Sequence, residues 1–143
     1  MPKDSPSTGL GHRHDWESAV VWLSAETTTA SIVGGAASAH GDFDTTTTPN
    51  LSGNSMLIRY YSIWPVNHQY VLDRLRFASV QVDTDITLRL GFTSTVGGQQ
   101  PLIAWESLPA AAQTALTNTD FGDANVPFKD SNFMNNLAGA YPL

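Results

Sequence analysis

The apolar residues of this chain come in short runs of strand length, and between residues 79 and 90 they alternate. Val80, Val82, Ile86, Leu88 and Leu90 share one face, and Gln81, Asp83, Asp85 and Arg89 share the other. A two-residue period of this kind belongs to a strand with one covered face. Further strand-like runs are Val20-Val21-Trp22-Leu23, Met56–Trp64 and Pro101–Trp105. Helical signals are confined to the C-terminal end. There Ser107 can cap a helix over Leu108–Leu116 with Pro109 in its first turn, and Asp130 can cap a second that spaces Phe133 and Leu137 one turn apart. The expectation is one domain over residues 1–143, all-β dominated: a β-sandwich with peripheral α-helices near the C-terminus, not an alternating α/β sheet.

Between these runs the chain is broken by turn formers. Residues 1–12 read as an extended loop, with Pro2, Pro6, Gly9 and Gly11 interrupting any period. Arg13 to Ser24 reads as one long strand, and Thr27–Thr29 as a turn. Ala30 to Ser38 reads as a strand of small residues, in which Gly34-Gly35 suggests a bulge or a close backbone approach. His40 to Ser55, holding Thr45–Thr48, reads as a polar loop.

Polarity here rests on hydroxyls, with 15 Thr and 13 Ser, while charged residues make up only 14% of the chain. An average domain has roughly 25%. The net charge is −6, and seven scattered Lys and Arg supply no basic face, so nucleic acid is excluded as a general partner. No stretch reaches the 18 or more apolar residues of a membrane helix. The absence of cysteine rules out disulfides, zinc ribbons and Cys nucleophiles. Met-Pro-Lys-Asp-Ser-Pro has no apolar core of a signal peptide.

In this charge-poor chain, Gly11-His12-Arg13-His14-Asp15-Trp16-Glu17 stands out. On a strand, Arg13, Asp15 and Glu17 point one way, and His14 and Trp16 the other. Two carboxylates at i,i+2 repel unless a cation or Arg13 neutralises them. Asp4, in a loop able to fold back, can add a third oxygen, and a bend at Gly9 and Gly11 can bring in His12. Such a donor set suits Mg²⁺, Ca²⁺ or Mn²⁺ better than Zn²⁺. The alternative is a solvated acidic strand with Arg13 paired to Asp15 or Glu17.

Weaker candidates are His40, read as a hydrogen-bonded structural histidine, and Trp64-Pro65-Val66-Asn67-His68. The latter is either a tip touching a membrane or ligand, or simply the end of a core strand. No G-x-S-x-G elbow supports a serine hydrolase, and Gly97-Gly98 lacks the Lys and helix of a phosphate loop.

The heptapeptide GHRHDWE, preceded by MPKDSPSTGL and followed by VVWL, resembles the signature of the necrosis- and ethylene-inducing-like proteins, the NLP family. SAHG, LIRYYS, GFTSTVGGQQPLIAWE and DFGDANVPF extend the resemblance over nearly the whole chain except residues 70–89. The resemblance implies an actinoporin-like β-sandwich and a secreted, non-enzymatic cytolysin. Such a protein binds glycosylated inositol phosphoceramide sphingolipids of plant plasma membranes and elicits necrosis and immunity. It also implies a divalent cation held by Asp4, His12, Asp15 and Glu17, and membrane engagement through Trp64 with His68. Asn67 stands where many members have Asp. Gly11, Arg13, His14, Trp16 and His40 fall within the motif blocks. Residues 1–17 resemble a peptide pattern that plant immune receptors detect. The alternatives are a metal-dependent hydrolase with Glu17 as general base, or a non-toxic paralogue acting only as an immune pattern.

Two departures qualify the resemblance. Members usually carry a signal peptide and further N-terminal sequence with a cysteine pair, so the domain is expected to be incomplete at its N-terminus. Residues 70–89, YVLDRLRFASVQVDTDITLR, interrupt a block that in the family runs from W-P-x-x-H-Q directly into L-G-F-T-S-T. They read as an insertion or a retained intron, because Gln69-Tyr70-Val71 can encode an intron start and Arg89 an intron end. Excision would restore Asn-His-Gln-Leu-Gly-Phe in frame.

Overall fold

A computed structural model describes residues 4–7, 10–12, 14–39, 41–62, 88–99 and 101–142. Its centre is β4, Ile32–Ala39, which reads Ile-Val-Gly-Gly-Ala-Ala-Ser-Ala and is the most buried element described. It is flanked by β3, Ala19–Leu23, and β5, Asp42–Thr46, in an antiparallel sheet of order β3-β4-β5. The turn from β4 to β5 passes through Gly41 at φ +83°, a conformation that side-chain-bearing residues rarely adopt.

Small side chains on β4 let both faces of this sheet be covered closely. On one face, a Cβ added to Gly34 would meet Pro142 Cγ at 2.6 Å. The Trp22 indole Nε1–H donates to the Ala140 carbonyl at 3.0 Å, and its ring meets Tyr141 edge-on at 5.2 Å. On the other face, a Cβ on Gly35 would collide with Met56 Sδ, with Phe92 behind it. The register slips between Trp22 and Leu23, so Val33 is the bulged residue. The close approach expected at Gly34-Gly35 is therefore present, while the bulge lies one residue earlier, at Val33.

The layer over Gly35 is a ribbon of β8, Ile58–Ser62, and β9, Leu88–Phe92, paired antiparallel from Ile58↔Phe92 to Ser62↔Leu88. Arg89 on β9 reaches Asp44 on β5 at 3.1 Å and ties this ribbon to the central sheet. A small hairpin of β6, Leu51–Ser52, and β7, Ser55–Met56, precedes it. The layer opposite comes from the C-terminal helix α2, Asp130–Gly139, with the tail after it. A 3-10 turn, Trp105–Ser107, and helix α1, Ala110–Asn118, come before α2. The architecture is the anticipated sheet-rich sandwich with two C-terminal helices. No described helix is long and apolar enough to cross a membrane.

Several local expectations need correction. The described part of residues 1–12 is not a loop but a hairpin of β1, Asp4–Ser7, and β2, Leu10–His12. The strand expected over 13–24 begins only at Ala19, because residues 14–18 are irregular and their side chains are taken up by tertiary contacts. The polar stretch 40–55 supplies β5 and β6, since β-branched Thr45 and Thr46 pair well with the alanine- and glycine-rich strand beside them. Met56–Trp64 breaks at Leu57. Its N–H donates to the Asn50 carbonyl and its own carbonyl accepts from Thr93, so it bridges two ribbons. Pro101–Ala104 is irregular, not a strand. Helix α1 starts after Pro109, whose fixed φ suits that position, and Ser107 lies in the 3-10 turn. Lys129 occupies the cap position of α2, so Asp130 acts in the first turn, where a carboxylate favours the helix dipole.

Candidate functional site

The motif His14-Asp15-Trp16-Glu17 runs along residues 14–18, between the N-terminal hairpin and β3. Its two ends are fixed differently. At the C-terminal end, Ser38 on β4 acts as a clasp. Its Oγ–H donates to Glu17 Oε2 and the same oxygen accepts from the Ser18 N–H at 2.9 Å, while the Ser38 N–H donates to the Ser18 carbonyl at 2.9 Å. Glu17 is thus bound to the central strand of the molecule.

The aromatic side of the motif is fixed from the C-terminal half of the chain. Phe121 meets the His14 imidazole edge-on at 5.3 Å and the Trp16 indole at 5.5 Å. Phe128 meets Trp16 at 5.9 Å and leans on Trp105 at 5.6 Å. Edge-to-face geometry sets the positive ring edge against the negative ring face, worth about 0.5–1.5 kcal/mol per pair beyond buried area. His14 and Trp16 therefore share a side, as alternation implied, although no strand imposes it. Phe121 and Phe128 are the two phenylalanines of DFGDANVPF, a loop held by Asn132 Nδ2 on the Val126 carbonyl at 3.0 Å and Asn136 Nδ2 on the Pro127 carbonyl at 2.8 Å. A recess of about 140 Å³ lies beside Phe121, lined by polar residues including Asp120, Asn125, Lys129 and Asn132.

Of the remaining predicted ligands, Asp4 lies on β1 and His12 on β2, and the two are Cα partners across the hairpin. Gly11 sits within β2. The chain thus folds back as expected, bringing the Asp4 backbone opposite His12, with Asp15 half-buried three residues further on. Among the described residues, no group of three or more His, Asp or Glu side chains forms a metal-holding cluster. Arg13, His40, Trp64, Asn67, His68 and most of 70–89 lie outside the described residues, except that Leu88 and Arg89 belong to β9. Sequence reasoning missed Ser38, Trp105, Phe121 and Phe128 as partners of the motif. Only their occurrence in blocks of the family pattern hinted at a role, since no spacing rule links residue 16 to residue 121.

A family model described as "Necrosis inducing protein (NPP1)" matches residues 1–140. The chain belongs to this family. Among NPP1 relatives, it is 43% identical over 147 residues to NLP effector protein 14 of Phytophthora capsici, covering 100% of this chain and 96% of that one. It spans only about half the length of several other curated relatives, such as NLP effector protein 10 of Phytophthora capsici, at 44% identity over 99% of this chain and 53% of that one. Among solved structures it is similar to "NLPPya in complex with glucosamine" at TM-score 0.77 and 44% identity, covering 99% of this chain and 58% of that chain. The non-toxic HaNLP3 protein matches at TM-score 0.78 and 32% identity, over 100% of this chain and 59% of that one. The toxin fold is shared by these NPP1-family chains.

Proposed function

We propose that this protein acts outside the cell as a non-enzymatic cytolysin against plant plasma membranes, binding sphingolipid sugar headgroups beside a divalent cation. The observation that carries the reading is the placement of the acidic motif. Asp4 and His12 are in cross-strand register, and the chain runs from there through Asp15 to Glu17, which is clasped by Ser38. Three carboxylates and one imidazole, none of them sulfur, fit a hard cation such as Mg²⁺, Ca²⁺ or Mn²⁺. Asp4, His12, Asp15 and Glu17 would hold it. A cation there would offset the carboxylate charge and offer coordination to sugar hydroxyls. The glucosamine complex of NLPPya supports a sugar headgroup as ligand. Trp64 and His68, with Asn67 between them, are assigned to the membrane-facing loop on the family resemblance.

The test pairs two measurements on the same variants. Asp15→Asn and Glu17→Gln keep side-chain shape and remove charge. Both are expected to abolish Mg²⁺ or Ca²⁺ binding by calorimetry, together with dye release from vesicles containing the plant sphingolipid. Unchanged cation affinity in the double variant overturns the ligand assignment, and saturable product formation overturns the non-enzymatic reading. A second reading is favoured by one observation. The non-toxic HaNLP3 protein matches this chain as well in TM-score as NLPPya does. On that reading the protein is non-lytic and residues 1–17 serve only as an immune pattern; dye release by the parent chain would exclude it.

A further inference from the structure

Asn50-Leu51-Ser52 is the one Asn-x-Ser/Thr tripeptide among the 143 residues. In a chain that enters a secretory lumen, this pattern is the acceptor of an N-linked glycan when it lies at the surface and x is not proline. Pro49 stands before the tripeptide, while Leu51 and Gly53 fill the positions at which a proline would stiffen it. The fold presents it outward. Asn50 leads into the small hairpin in which β6 and β7 pair Leu51 with Met56 and Ser52 with Ser55. Gly53, at φ +59°, makes the turn. Every residue from Asn50 to Asn54 is exposed. Among the described residues, Asn50 is tied to the fold through its backbone, whose carbonyl accepts from the Leu57 N–H at 2.9 Å. Alternation along β6 sets the Asn50 carboxamide and the Ser52 hydroxyl on one side and Leu51 on the other. The pairing and the turn that produce this placement are set within residues 50–57.

The tripeptide is also remote from the acidic motif. Glu17 is clasped at Ser38, which pairs with Phe43 near the start of β5. From there β5 runs to the other end of the sheet, where Thr46 faces Gly35, and Asn50 follows beyond it. We propose that Asn50 carries an N-linked glycan. The assignment rests on the extracellular reading above, because transfer takes place on chains that enter the secretory lumen. The co-reactant is a lipid-pyrophosphate-linked oligosaccharide. Asn50 Nδ2 attacks the anomeric carbon of its first sugar, and the bond from that carbon to the pyrophosphate oxygen breaks. The lipid pyrophosphate leaves with the bonding pair, and Nδ2 gives up one proton. The glycan then stands beside Leu51, which is 44% exposed, and shields it from other chains.

The test expresses the full 143-residue chain in yeast behind a cleavable leader, which delivers it to the lumen whatever its natural destination. The parent is expected to run slower than its amino-acid mass on a denaturing gel, and to return to that mass after treatment with a peptide:N-glycanase. That enzyme leaves aspartate where a glycosylated asparagine stood, and mass spectrometry should find the mark at residue 50 alone. Asn50→Gln and Ser52→Ala should each abolish the shift, whereas Ser52→Thr, which keeps the hydroxyl, should retain it. Protein retained in the cell is read on the same gel, so a folding failure does not hide the result. An unmodified parent, or a shift that survives Ser52→Ala, overturns the proposal. Failure of the extracellular reading would show separately, as native protein held inside the cells of its source, and leaves the leader-directed result unchanged.

Discussion

Truncating Phe121 tests whether the motif is held by aromatic contacts made across the chain. The side chain is half-buried and meets both His14 and Trp16 edge-on. Full burial makes Phe→Ala cost about 3–5 kcal/mol, so half-burial leaves about 2 kcal/mol. The two edge contacts bring the total to about 3 kcal/mol. A domain of this size with a stability of about 5–15 kcal/mol should survive the change, melting roughly 10 °C lower. The sharper measurement is a double-mutant cycle in urea with Trp16→Leu and Phe121→Leu, which keep an apolar side chain at each position and remove the rings. The expected coupling is about 1 kcal/mol. Dye release should fall further than the unfolded fraction accounts for, because His14 and Trp16 flank Asp15. Additivity within about 0.3 kcal/mol would show that the rings touch without mutual support, and the clamp would be only filler.

Ser38→Ala removes both the donor to Glu17 and the acceptor for the Ser18 N–H. It is expected to destabilise by about 1–3 kcal/mol, and an unchanged urea midpoint would refute the clasp. Trp64→Ala is expected to lower vesicle leakage several-fold while sparing binding of soluble headgroup; equal loss of both would make Trp64 a core residue. Residues 70–89 are proposed to be a retained intron, so transcripts from the source organism are expected to join codon 69 to codon 90. Reads that cross this interval without a gap, with a soluble monomer from the 143-residue sequence, would make it a true insertion.

The sheets were legible where side-chain period carried the information. β4 announced itself through small residues, and the alternation ending at Leu90 continues into the paired strand β9. The motif's position was legible as chemistry, since Asp15 and Glu17 stand out in a chain with few charges. Its conformation was not. Residues 14–18 read as strand by alternation, but Trp16 and Glu17 are held by Phe121, Phe128 and Ser38, partners far away in sequence. The polar run 40–55 misled for a related reason. Thr45 and Thr46 lack apolar character, yet their branched Cβ atoms suit a strand, and the pairing with β4 decides the matter. Helix starts shifted because Pro109 and Lys129, neither a side-chain capper, occupy the cap positions.

The glycines of β4 also shape how this protein can diversify. One added methyl at Gly34 drives into Pro142, and one at Gly35 drives into Met56, so adjacent positions answer to opposite layers. A change at Gly34 needs accommodation in the C-terminal tail, and a change at Gly35 needs it in the β7 and β9 neighbourhood. No single second substitution relieves both. In a saturation library, β4 should therefore be the stretch most depleted of survivors, while the stretch from Thr47 to Asn54, exposed except at the half-buried Pro49, should drift freely. Surface-exposed variation and core invariance would then meet within a few residues of the same hairpin.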